Sequence, residues 1–275
     1  MLCDTHTHLF PYSQDARQSI EELLSCADRQ GLSAVCTADH YEKDIFYTGG
    51  REDIFDPAVY FNDLLPVQAG RLPGEARLLL GAELGYLPHL DDHLALFAAA
   101  WPFDSIILSL HILEGEDPFI NPELYRPGKI DVYSRYLRQM TRMIQMCPDF
   151  DILGHFDYIS RYAPYADRKI RYSELPSEFD LFLQTLVDAN KALEINTRTT
   201  FKLLAAGYSG VDSWPDDAII QRYLELGGQL ISLGSDGHQA NEAGNMFSEA
   251  VSWLKSLGCS QLVHFEKRQA VFSPL

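Results

Sequence analysis

The chain has 275 residues, enough for one substantial buried core and a better match to one α/β barrel than to two small domains. Its 22 basic residues stand against 39 acidic ones, a formal charge of −17 that repels polyanionic nucleic acid, and no Lys/Arg cluster offers a local basic groove. The five cysteines, Cys3, Cys26, Cys36, Cys147 and Cys259, are odd in number and scattered through apolar patterns, and there is neither a leader pattern nor an apolar run long enough to cross a bilayer; a reduced, cytoplasmic protein acting on a small molecule is expected, with no membrane partner and no oligomeric state assigned.

In chain order, a first strand is expected at 1–3, leading into Asp4-Thr5-His6-Thr7-His8. Alternate residues of a strand share a face, so His6 and His8 project together. A helix at 19–29, closed by Gly31, leads to a strand at 33–37 and the pair Asp39-His40. A helix at 57–69 precedes a strand at 77–81 and Glu83; a helix at 91–100 precedes a strand at 106–109 and His111. The apolar stripe of 132–146 stops at Pro148, ahead of a strand at 152–153 and His155. A helix at 177–190, a strand at 192–196, a helix at 216–226 and a strand at 230–234 lead to Asp236-Gly237-His238, and a helix at 246–257 and a strand at 261–265 finish the chain. Such alternation implies a parallel sheet with helical crossovers, closed into a barrel. Turns from helix to strand are tight and Gly-containing, whereas the segments from strand to helix are long at 41–56, 112–131, 156–176 and 197–215. Long loops mark the C-terminal ends of the strands as the working face.

Histidines and carboxylates therefore recur at the ends of several strands that converge on one mouth. Imidazole nitrogen and carboxylate oxygen suit Zn, Mn or Fe, and the lack of a nearby thiol argues against a structural zinc knot. Asp4 is either a further ligand or an acceptor that orients a histidine ring, and Asp39 either joins the site or caps the turn after its strand. Arg161 and Arg198 lie just past strands; guanidinium forks match phosphate oxygens, although a solvated surface position is the default for any single arginine. His89 and His93 are four apart on a helix but lack the His-Glu-x-x-His pattern, and His264 reads as an ordinary surface or core residue, so none is given a role. Glu114 and Glu116 form an acidic loop that would complement an ammonium, although in so acidic a chain solvated carboxylates are the default.

Taken together, Asp4 to His8, Thr37-Ala38-Asp39-His40, Gly81-Ala82-Glu83, Ser109-Leu110-His111, Gly154-His155 and Gly234 to His238 resemble the motifs of the PHP family, the polymerase and histidinol phosphatase group, over nearly the whole chain. The resemblance implies a distorted (β/α)7 TIM-like barrel, a single domain over 1–275, with two or three divalent transition-metal ions (Zn, Mn or Fe) at the C-terminal ends of the strands. It places His6, His8, Glu83 and Asp236 on one ion, Glu83, as a bridge, with His111 and His155 on a second, and Asp15, His40 and His238 on a third. Some family members carry a histidine where this chain has Asp15. The runs Ser109 to Gly115, His155 to Arg161, Glu194 to Arg198 and Phe265-Glu266-Lys267-Arg268 resemble the L-histidinol-phosphate phosphatase subgroup, and are expected on loops beyond the metal ligands. The implied activity is hydrolysis of L-histidinol phosphate to L-histidinol and phosphate, in histidine biosynthesis. Metal-bound water would supply hydroxide, Arg161 and Arg198 would hold the phosphate, and His238 or Asp157 would protonate the leaving oxygen.

Three alternatives stand beside that reading. One is a phosphoesterase of the same fold acting on a nucleotide or sugar phosphate. Another is an amidohydrolase, which usually needs a bridging lysine in mid-chain, whereas this chain has no lysine between Lys43 and Lys129. The third is a noncatalytic metal-stabilised domain.

Overall fold

Strands and helices alternate because the apolar period switches between two and 3.6 along the chain, and the computed structural model describes residues 2–46, 50–147 and 149–275. Met1 of the expected first strand, residues 47–49 of the expected loop and Pro148, the expected helix stop, lie outside the described residues. The order is β1 (Cys3–Thr7), α1 (Ile20–Arg29), β2 (Ala34–Glu42), β3 (Asp53–Ile54), α2 (Pro57–Gly70), β4 (Arg77–Gly85), α3 (Asp91–Ala100) and β5 (Ser105–Ser109). Then come α4 (Lys129–Met146), β6 (Ile152–Leu153), α5 (Pro176–Asp188), β7 (Ala192–Asn196), α6 (Thr197–Ala205), α7 (Gly210–Ser213), α8 (Asp217–Glu225), β8 (Ile231–Gly234), α9 (Phe247–Ser256), β9 (Gln261–Glu266) and β10 (Gln269–Pro274).

The sheet runs β1-β2-β4-β5-β6-β7-β8 with every neighbouring pair parallel, and short β3 adds antiparallel to β2. Backbone bonds just past β8 close the circle: Asp236 N–H donates to His6 C=O at 2.8 Å and His8 N–H to Gly237 C=O at 2.8 Å. The result is the expected (β/α)7 barrel, nearly closed, with α/β architecture. Local chemistry starts the helices where expected. Ser19 accepts from Glu22 N–H while Glu22 returns a bond to the Ser19 N–H, a capping box, and Asp56 caps α2 ahead of Pro57.

Outward-facing strand residues such as Val35, Leu78, Leu80, Ile106, Leu108, Leu193 and Ile231 pack against the helices in the main core. Inside the barrel lies a thin apolar layer of Ala38, Ile107, Ile152, Ala192 and Leu230, sealed from below by Val263 and Phe265 of β9. Two residues farther along the same strands the interior turns polar: His40 follows Ala38, Ser109 follows Ile107 and Glu194 follows Ala192.

Several boundaries differ from the sequence expectation. Strands β2 and β4 continue to Glu42 and Gly85, because ladder hydrogen bonds inside a barrel carry polar residues that no apolar run would include. Helix α6 occupies part of the expected 197–215 loop; Asn196 caps it by accepting from Arg198 N–H at 3.1 Å, which overrides the poor helix propensity of its threonines. Strand β10 pairs with β9 as a hairpin. Among the described residues no helix is long and apolar enough to cross a membrane.

Candidate metal centre

Glu83, buried in β4, sits where the polar layers meet. Its Oε1 lies 2.8 Å from His155 Nε2 and 3.3 Å from His111 Nε2, while its Oε2 lies 2.9 Å from His40 Nδ1, 3.3 Å from His6 Nε2 and 3.7 Å from His8 Nε2. One carboxylate thus turns its two oxygens to two groups of imidazoles, the geometry of a bridging ligand. Burial pushes its carboxyl pKa up, but the charges of His6 and His111 outweigh that and hold it well below the ordinary range.

The rings are aimed by their other nitrogens. His6 Nδ1 bonds Glu194 Oε1 at 2.7 Å, and the other Glu194 oxygen takes the His155 backbone N–H at 2.6 Å. His111 Nδ1 bonds Glu42, His8 Nδ1 meets Ser13 Oγ at 3.3 Å, and His238 Nδ1 meets the Asp236 carbonyl at 2.8 Å. Such partners settle ring orientation and tautomer. Close packing supports this: a Cβ on Gly234 would stand 2.2 Å from Glu194 Oε1 and 2.6 Å from His6 Cβ, so only glycine lets the two side chains meet there.

Among the described residues, His6 Nε2 and His8 Nε2 are buried without a hydrogen-bond partner. An unsatisfied buried acceptor is costly, and two aimed at the same carboxylate are what a cation satisfies. Burial and the neighbouring His238 and His40 keep His8 well below the ordinary imidazole range, so its lone pair is available. Three sets of side chains bring one ligand atom each within 4.8 Å of one another around this point: His6, His8 and Glu83; Glu83, His111 and His155; and His8, His40 and His238. A fourth such set joins Asp15, His40 and Asp53.

The expected ligands accordingly converge, with differences in grouping. Asp15 Oδ2 lies 3.0 Å from His238 Nε2 and Asp15 Oδ1 3.5 Å from His40 Nε2, on a side chain 59% exposed. Asp236, at φ 52°, has Oδ1 3.6 Å from His8 Nε2, but its Oδ2 accepts from Arg161 Nη1 at 3.0 Å. Asp4 is neither a ligand nor a ring-orienting acceptor: it accepts the backbone N–H groups of Ser235 at 2.9 Å and Gly244 at 2.8 Å, tying the closing segment to β1. Asp39 accepts from Leu9 N–H and Ser13 Oγ, both at 2.7 Å, and so fastens the loop after β1.

A cavity of about 550 Å³ opens above the set. Arg161 and Arg198 line one wall. Arg161 is buried and held at three points, by Thr199 Oγ1 at 2.7 Å, Asn196 Oδ1 at 2.9 Å and Asp236; Arg198 donates to the Asp236 carbonyl at 2.7 Å. Asp157 does not reach this cavity, contrary to its expected role as an acid. Its Oδ1 accepts from Thr199 Oγ1 at 3.1 Å, behind Arg161, because the single turn after β6 directs it away from the axis.

The Phe265 to Arg268 run is also misplaced by the sequence reading. It forms the β9–β10 corner at the opposite end of the barrel, where Arg268 bonds Asp151 and Asp149, and Lys267 N–H meets Asp104 Oδ1 at 3.0 Å. Glu114 pairs with Arg135 and Glu116 with Asn121, and neither lines the cavity. His89 bonds Asp44, His93 the Tyr41 hydroxyl, and His264 Glu266. Sequence reasoning gave no role to Glu42, Asp53, Glu194 or Asn196; the first and last two were findable, since Glu42 is two residues from His40 and Glu194 two from Asn196 on one strand face.

The PHP domain pattern matches residues 4–198. A probable histidinol-phosphatase of Clostridium acetobutylicum is 30% identical over 268 residues, covering 98% of each chain. The histidinol-phosphatase of Lactococcus lactis is 27% identical, covering 95% of this chain and 93% of that one. A crystal structure of the Lactococcus lactis histidinol phosphate phosphatase, complexed with zinc, L-histidinol and phosphate, superposes with a TM-score of 0.84 at 25% identity, covering 98% of both chains.

Proposed function

Because the chain belongs to the PHP family, we propose that it is a metal-dependent phosphomonoesterase, a histidinol-phosphatase that hydrolyses L-histidinol phosphate to L-histidinol and phosphate in histidine biosynthesis. The observation that carries this reading is Glu83, which turns one oxygen to His111 and His155 and the other to His6, His8 and His40 at the base of a cavity walled by Arg161 and Arg198. We assign residues 1–275 to one such unit, at work in the cytoplasm, a location that five unpaired, buried cysteines suit.

His6, His8 and Glu83, with Asp236 beside them, would hold one divalent ion; Glu83, His111 and His155 a second; and Asp15, His40 and His238 a third, with zinc, manganese or iron all compatible with the donor set. When bound, such ions lower the pKa of water to supply hydroxide and polarise phosphoryl oxygens. The chain's own residues do the rest. Arg161, fixed by three acceptors, presents its remaining N–H groups to the phosphate without ordering cost, and Arg198 closes the same wall. Asp157 acts through Thr199 to position Arg161. His238 offers one cavity nitrogen, Nε2, since Nδ1 faces the Asp236 carbonyl; it either holds a third ion or protonates the leaving oxygen, and metal content of the active protein decides which.

The net charge of −17 favours a small substrate over nucleic acid. The test is phosphate release across L-histidinol phosphate, nucleoside monophosphates, sugar phosphates and p-nitrophenyl phosphate, with metal analysis of the same sample. A kcat/KM for L-histidinol phosphate at least about a hundredfold above the others is expected. A flat profile, or preference for a nucleotide, rejects the substrate while keeping the phosphomonoesterase.

A further inference from the structure

The cavity lining carries both charges. Arg17 spends its guanidinium on the Gln14 and Ala16 carbonyls, whereas Arg161, Arg198 and Lys202 stand together, Lys202 one helical turn beyond Arg198 on α6. Beside these cations the lining passes into aromatic rings, with Lys202 Nζ 5.3 Å over Tyr162 and donating to its hydroxyl at 3.3 Å. Arg161 stacks on Tyr158 at 5.2 Å, Tyr158 meets Tyr162 at 5.4 Å, and Tyr162 meets Phe119 at 5.1 Å. Two residues before Phe119 is Asp117, which also lines the cavity.

Asp117 differs from the other carboxylates there. Glu83, Asp15 and Asp236 face imidazoles or Arg161, Glu42 bonds His111, and Asp53, which likewise pairs with no Lys or Arg among the described residues, accepts the Gln14 N–H with both oxygens at 3.1 and 3.2 Å and stands in the candidate ligand set of Asp15 and His40. Asp117 is half-buried, accepts from Phe119 N–H at 2.7 Å, and pairs with no Lys or Arg among the described residues. Burial raises its carboxyl pKa, with the Phe119 N–H and the His111 charge pulling the other way, as expected of a charge short of a cation.

Its position is built. Leu113 and Glu116 exchange backbone bonds at 2.9 Å each way across a turn in which Glu114 and Gly115 have positive φ. Asn121 N–H donates to the Asp117 carbonyl at 2.8 Å, and Asn121 Oδ1 caps the following turn at Glu123. The chain is therefore held on both sides of Asp117. Glu114 and Glu116, the acidic residues singled out by sequence, are engaged elsewhere, with Arg135 and Asn121.

We propose that Asp117 determines specificity by pairing with a cationic amine on the leaving group, while the Phe119, Tyr162 and Tyr158 rings receive the flat part of that group. A phosphate against the arginines and an ammonium against Asp117 set the substrate in the cavity in one orientation, with its ester oxygen over the histidine cluster. This rests on the histidinol-phosphatase reading and deepens it.

The test compares L-histidinol phosphate with its des-amino analogue, 3-(imidazol-4-yl)propyl phosphate, which lacks only the amine. The wild-type protein should favour the amine-bearing ester by about a hundredfold in kcat/KM, the scale of a charge-assisted contact. In Asp117→Asn that ratio should fall below about tenfold, Asp117→Glu should restore part of it, and Glu116→Gln should leave it unchanged. An unchanged ratio in Asp117→Asn, or an equal loss on both esters, overturns the proposal and leaves the histidinol-phosphatase reading standing. A wild-type protein without preference for L-histidinol phosphate over p-nitrophenyl phosphate overturns both.

Discussion

The two ends of the barrel use the same residue types to opposite effect. At the floor the buried carboxylates Asp104 and Asp151 are answered by protein donors: Asp104 accepts from Leu80 N–H at 2.9 Å, Gln68 Nε2 at 3.0 Å and Lys267 N–H at 3.0 Å, and Asp151 accepts from Ile106 N–H at 2.8 Å and from Arg268. At the mouth, Glu83, Glu194, His6 and His8 are equally buried, yet among the described residues His6 Nε2 and His8 Nε2 are left without hydrogen-bond partners. A satisfied polar network stiffens a fold, whereas one left incomplete in a fixed geometry is prepared to bind. Burial of polar groups alone does not mark a functional end, nor does a single unpartnered hydroxyl such as Ser105 Oγ; ligand atoms left unpartnered while facing one carboxylate do.

The largest effect is expected at Glu83. Glu83→Gln should lower kcat/KM by roughly a thousandfold or more, on the scale of lost electrostatic preorganisation, and reduce bound metal to under one ion per chain while the far-UV circular dichroism stays unchanged. Thorough chelation of the wild type should abolish activity in the same way, with recovery on adding back zinc or manganese. Full activity with less than one ion per chain would erase the contrast between the two ends.

Next comes the arginine wall. Arg161→Met and Arg198→Met should each cut kcat/KM by about a hundredfold with metal content retained, read by steady-state kinetics beside metal analysis. Arg161 is expected to be the more severe, because its loss also leaves Asp236 Oδ2 short of a donor. Wild-type rates in both variants would move the phosphate to another wall.

A smaller loss, about tenfold, is expected for Asp157→Asn, because the residue acts only through Thr199 on Arg161. The same change in an Arg161→Met background should add almost nothing, and an additive loss would show an independent role.

At the floor the sign of the contrast reverses. Arg268→Ala should destabilise by about 2 kcal/mol, a drop of several degrees in Tm, because it strips a donor from buried Asp151, while kcat/KM of the folded fraction stays within about twofold of wild type. A hundredfold loss of activity there would mean that the floor takes part in substrate handling after all.

Much of this was readable in the chain itself. Period-two and period-3.6 apolar patterns locate the seven barrel strands and most of the helices, and His6, His8, His40, His111, His155 and His238 sit within those strands or just past their C-terminal ends, so their convergence follows from parallel strand direction. Glu83 lies late in β4, and His111 and His155 each lie two residues past β5 and β6, so parallel strand direction brings all three to one end of the barrel. Other features depend on distance in space. Glu194 lies 188 residues from His6, and nothing local says that its two oxygens will aim His6 and hold the His155 backbone. Asp157 and Arg161 are four residues apart in one segment, yet a single tight turn sends one behind the wall and the other into it. The Phe265 to Arg268 run looks functional as sequence and is structural in place, because only the closing hairpin decides which end of the barrel it reaches. Which residue types could bind metal was a matter of sequence; which of them the folded chain leaves unsatisfied, and facing one another, was decided by strand register and loop path, since hydrogen-bond partners across a barrel are chosen by geometry and carry no trace in local pattern.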